Sequence, residues 1–133
     1  MNINSQIATS REQSEKLLAL GLKKETADCY LFEYEKGKYK VIAESWLDLI
    51  ADEKYYSQYK DVCFPAWSLH RLILMTPKEL IVNNGVIFPF RGTALMDLTI
   101  NGCDLYEGMA QIIERCIKEG YFNKDYLNGT TEN

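Results

Sequence analysis

Between Asp104 and Gly120, the apolar residues Leu105, Met109, Ile112, Ile113, Cys116 and Ile117 fall on one stripe of a 3.6-residue helix. A stripe that continuous has to be covered by other parts of the chain, and this demand constrains the fold more than any other feature. Its ends are marked too. Asp104 predicts the N-cap, Glu107 completes a box-like pairing, and Gly120 predicts the left-handed stop. Glu114 and Lys118 stand in the favourable i, i+4 order, and Tyr121 or Phe122 is expected to fold back over the last turn.

Other segments supply the cover. Thr9 or Ser10, followed by Glu12 or Gln13, predicts a capped helix that carries Leu17, Leu18 and Leu20 and stops at Gly21. Lys24 to Asp28 offers one further helical turn. Tyr30, Phe32 and Tyr34 alternate with Leu31, Glu33 and Glu35. After Lys36-Gly37-Lys38, Tyr39, Val41 and Ala43 alternate with Lys40, Ile42 and Glu44, which predicts a β-hairpin. Residues 45–60 carry helical spacings at Trp46, Leu49 and Ile50 and at Tyr55, Tyr56 and Tyr59, and read as a short helix or structured loop. Pro65 is expected to open a helix bearing Ala66, Leu69, Leu72 and Ile73 on one face and ending at Pro77.

A β-meander is expected next. Residues 80–82 and 86–88 flank Asn83-Asn84-Gly85, a strong hairpin signal, with Pro89 marking an edge or bulge. Met96, Leu98 and Ile100, alternating with Asp97 and Thr99, read as a third strand ending at Asn101-Gly102. The expected fold class is α+β: a mostly antiparallel sheet (hairpin plus meander) packed by about three helices, in a single domain over residues 1–127 with a polar tail over 128–133.

A chain of 133 residues is long enough to build a core without metal or disulfide staples. Its four cysteines, Cys29, Cys63, Cys103 and Cys116, form no C-x-x-C pair, and there is one histidine. That pattern predicts reduced core thiols, no metal site and no cofactor. The net charge of −4 lacks the pull toward phosphate backbones that nucleic-acid binding needs, and Lys23-Lys24 is too short a basic run to supply it. No apolar run reaches membrane-spanning length, and the first residues lack the basic and apolar regions of a secretory signal, so the cytoplasm is the expected compartment.

Two clusters are candidate binding residues. Trp67, His70 and Arg71 bring together an indole, a group titrating near neutral pH and a guanidinium one turn from the indole. Tyr55, Tyr56 and Tyr59 offer a stacking platform or a protein anchor. Local packing accounts for either cluster more simply. No nucleophile elbow, phosphate loop, zinc-protease motif or calcium loop is present, which leaves no ground for naming catalytic residues.

The string from Ser10 to Leu22 with Glu25-Thr26-Ala27-Asp28, the block Pro65-Ala66-Trp67-Ser68-Leu69 and the closing Lys118-Glu119-Gly120-Tyr121-Phe122 resemble a group of small hypothetical proteins. That group occurs in gut anaerobes and their phages and mobile elements. The resemblance implies a phage or mobile-element setting and carries no catalytic residue. It also implies that residues 45–60 are a local elaboration. Three functions are weighed. The first is a non-enzymatic accessory protein that binds a protein partner or itself as a homodimer. The second is a small-molecule binder or enzyme with a pocket near Trp67, His70 and Arg71. The third is a nucleic-acid binder with a hidden basic face.

Overall fold

The computed structural model describes residues 6–81, 85, 87–101 and 104–128. The first helix, α1 (Arg11–Ala19), starts from Ser10. The Ser10 hydroxyl accepts from the Gln13 amide, and the Gln13 side chain accepts from the Ser10 amide. This reciprocal box satisfies two donors that a helix start leaves open. Gly21, at φ +106°, turns the chain out of α1, and a 3-10 turn follows at Lys24–Thr26.

Strands β1 (Cys29–Glu35) and β2 (Lys38–Ile42) form the expected antiparallel hairpin. Two short helices, α2 (Trp46–Ala51) and α3 (Glu53–Tyr59), fill the stretch that the sequence left open, capped by Ser45 and Asp52. After a 3-10 turn at Lys60–Val62, β3 (Cys63–Ala66) pairs antiparallel with β1, giving the order β2-β1-β3. The helix expected to open at Pro65 therefore begins later. Pro65 lies in the edge strand β3 opposite Tyr30, where a missing N–H is tolerated. Helix α4 (Leu69–Met75) starts from Ser68, whose hydroxyl accepts from the Arg71 amide.

Strands β4 (Leu80–Ile81) and β5 (Ile87–Phe88) pair antiparallel as a separate two-stranded ribbon. Gly85 has the left-handed φ of +76° that its turn needs, while Asn83 and Asn84 lie outside the described residues. The expected third strand is instead a helix, α5 (Phe90–Asn101). The alternation over residues 96–100 is short. The longer window places Phe90, Ala94 and Leu98 four residues apart, follows Pro89 and carries the good helix formers Arg91, Ala94, Leu95, Met96 and Leu98, and that longer pattern prevails.

Helix α6 (Leu105–Glu119) runs as the stripe requires, from the Asp104 cap to Gly120 at φ +79°. Glu107 accepts not from its own cap but from the Gln13 side chain at 2.9 Å, which ties α6 to α1. A final 3-10 turn covers Lys124–Tyr126. The tail expected from Asn128 onward begins bonded. The Asn128 amide donates to the Gly21 carbonyl at 2.7 Å, and Leu127 bridges Leu22 antiparallel.

The result is an α+β fold with six α-helices and an antiparallel sheet among the described residues. Both sheet faces are covered. Tyr30, Phe32, Ile42 and Cys63 join the main core with α2, α3, α4 and α6. Cys29, Leu31 and Ala66 form a smaller cluster with Ala8 on the other side. There the Arg11 guanidinium lies 3.9 Å from the Phe64 ring centre.

Trp67 joins these parts and is 0 % exposed. Its backbone exchanges hydrogen bonds with Thr9, the Thr9 hydroxyl meets Ser14 at 2.7 Å, and the indole N–H donates to the Thr26 hydroxyl at 3.0 Å. Thr26→Val keeps the shape but leaves that buried N–H without an acceptor. It should cost about 1–3 kcal/mol of unfolding free energy, read from the urea midpoint.

Candidate functional site

Helix α5 has the composition of a helix buried on several sides, with Arg91 and Asp97 as its charged residues. Yet none of the side chains described on it, from Phe90 to Leu98, is fully buried. Its inner face meets α6 at Leu98, which lies against Gly108. A Cβ at Gly108 would run into the Leu98 isobutyl group. Between the two helices runs an open groove of about 440 Å³. Phe90, Ala94 and Leu98 line one wall, Ile112 the other, with Leu80 and Tyr121 completing it. The lining is mostly apolar, and Asp97, Arg115 and Glu119 are the charged residues on it.

Arg115 and Glu119 are one turn apart on α6 and pair at 3.7 Å. Asp97 is exposed and forms no ion pair with the described residues. Tyr121 is placed by the end of α6: Gly120 turns left-handed, and the Tyr121 amide donates to the Cys116 carbonyl at 2.8 Å. The ring stays 46 % exposed.

Tyr121 also lines a second, more polar hollow of about 280 Å³ with Thr76, Asn123 and Tyr126. Arg91 borders that hollow and is fully engaged in structure. Its guanidinium donates to the carbonyls of Leu74, at 3.1 Å, and Thr76, at 2.6 Å. It thus satisfies carbonyls that the end of α4 leaves open and fixes the start of α5.

The six residues singled out from the sequence lie elsewhere, and neither cavity is lined by any of them. Trp67 is sealed in the core and presents no binding surface. Arg71 does not lie over the indole. It donates from Nε to the Thr26 carbonyl at 2.8 Å, and its guanidinium carbon sits 5.9 Å from the Tyr126 ring centre. His70 is exposed near the start of α4 and has no hydrogen bond or ion pair with the described residues. The trio therefore has no shared cleft.

The tyrosines do converge, but as packing. Tyr55 and Tyr59 lie 4.7 Å apart, Tyr59 leans on Phe32 at 5.5 Å, and Tyr56 meets Trp46 edge-on at 5.8 Å. All three are half-buried against the main core. Burial pushes the neighbouring Tyr30 phenol far above its usual pKa, and its hydrogen bond with Tyr55 adds to that. The short alternation over residues 96–100 masks the α5 groove residues in the sequence, and Phe90 and Ala94 lie before it. The Phe90, Ala94, Leu98 spacing was the available signal.

Among the described residues, no three His, Cys, Asp or Glu side chains group as a metal site, and no helix is long and apolar enough to cross a membrane. No protein-family model, curated protein or solved structure matches the chain.

The described thiols are inert by environment. Burial pushes Cys29 and Cys116 up to about 11, with the Asp28 charge adding at Cys29 and Glu119 at Cys116, and burial also raises Cys63. In a Cys63→Ala, Cys103→Ser background, Cys29 and Cys116 of the native protein near pH 8 should react with DTNB about a hundredfold or more slowly than in the guanidinium-unfolded chain. The same shifts have a sign for stability. The folded thiols hold their protons to higher pH than the unfolded ones. Their contribution is therefore complete below the ordinary thiol value of 9.0 and is lost as pH rises toward about 11. Thermal melts across that window should show a falling midpoint.

Proposed function

We propose that the chain is a non-enzymatic accessory protein that binds another protein through the α5–α6 groove. The observation that carries this reading is the groove itself. An apolar helix with no fully buried described side chain flanks an open cleft, and a partner would complete its burial. The site has the make-up of a protein interface: aromatic and aliphatic residues at the centre and charges at the lip.

The small-molecule or enzymatic reading loses its support at Trp67, His70 and Arg71, because the indole is inside the core and the guanidinium is spent on Thr26. An accessory role in the cytoplasm fits the phage or mobile-element setting that the sequence resemblance implies. The test is affinity capture from native host cells with the full chain and with Ala94→Trp, which fills the groove. A partner retained by the native chain and reduced about tenfold or more on the variant supports the reading. Equal capture by both, with the variant folded by circular dichroism, overturns it.

A further inference from the structure

We infer that the groove takes an amphipathic helix of the partner protein, with an apolar stripe seated on Phe90, Ala94 and Leu98 and a lysine or arginine set against Asp97. This inference rests on the interaction reading above and names the kind of partner.

The long walls of the groove are helices, α5 and α6, whose backbone groups beyond the terminal turns are paired within each helix, and at the start of α5 the Arg91 and Thr93 amides are already bonded to the Lys78 and Pro89 carbonyls. Such walls offer an extended peptide no ladder of amides and carbonyls. A segment buried there has to satisfy its own backbone, and a helix does so without help. Dimensions agree. Phe90 to Leu98 rises about 12 Å along α5, which is about two turns of a docked helix and room for two or three anchor side chains. Ala94, the small residue between Phe90 and Leu98, leaves a notch for one of those anchors.

Charge selects among helices. Arg115 and Glu119 neutralise each other, so the acid on the lip without an ion pair among the described residues is Asp97. A cation on the incoming helix complements it. A second copy of this chain, with a net charge of −4, brings charge of the same sign. Since Asp97 is exposed, the pairing sets register and choice of partner more than affinity.

The probe is a displayed library of helix-forming peptides of about 16 residues, selected on the immobilised full chain and counter-selected on Ala94→Trp. Enriched sequences should share apolar residues at i, i+3 or i+4, and i+7, with Lys or Arg beside the stripe. Fluorescence anisotropy of the best peptide should show about tenfold weaker binding to Asp97→Lys, which should instead prefer the peptide whose basic residue is replaced by Glu. Asp97 is exposed, so this second variant keeps the test open even if Ala94→Trp does not fold.

No enrichment over the counter-selection, enrichment of extended or proline-rich sequences, or indifference to Asp97→Lys each overturns the inference. A dimer in sedimentation velocity that Ala94→Trp dissociates assigns the groove to a second copy and overturns it as well. Groove-dependent capture of a host protein without any helical binder would sink this inference and leave the broader interaction reading standing. Loss of both would sink both.

Discussion

The indole N–H of Trp67, sealed from solvent and donated to Thr26, holds together segments far apart in the chain. An unpaired donor at that depth would cost on the order of a few kcal/mol, so Thr26 must stay where the 3-10 turn puts it. The Thr26 hydroxyl in turn donates to the Lys23 carbonyl, and its own carbonyl accepts from Arg71. Asp28 accepts from both the amide and the hydroxyl of Ser68, so the exit from β3 and the entry to α4 are fixed against the start of β1. Apolar burial supplies most of the driving force here. The hydroxyls and the carboxylate select one arrangement of the pieces.

The other end of α4 is governed differently. Its open carbonyls are met by Arg91, a residue from the next helix along the chain. That single side chain helps fix where α5 begins, and α5 meets α6 where Leu98 lies over Gly108. A helix held at one end by a guanidinium, with Phe90, Leu95 and Leu98 resting on the core but none of its described side chains fully buried, keeps part of its apolar surface uncovered. The groove follows from this partial burial, and so does the functional reading.

Much of the fold was legible in the sequence because its signals are local. The Ser10–Gln13 box, the 36–38 turn and the Asp104-to-Gly120 helix each depend on residues within a few positions of one another. The errors arose where local signals compete. Pro65 suits both a helix start and an edge strand, and only pairing with β1 decides between them. Residues 96–100 fit a period of two over five positions, while the window from Phe90 onward fits a helix. The candidate site suffered most from this second error. Trp67, His70 and the tyrosines are conspicuous as residue types, but residue type does not reveal depth. The same indole could have been a contact surface or the centre of the core.

Leu127 pairs with Leu22, and Asn128 donates to the carbonyls of Gly21 and Leu22. The chain is stitched from its last described residues back to its first helix, across more than a hundred positions. During synthesis this seam cannot close until Asn128 has cleared the ribosome, so α1 and the hairpin must wait, partly uncovered, for α6 and its following turn. Contacts of such long span slow folding for the same reason: the entropy of closing the loop is lost before the contacts repay it.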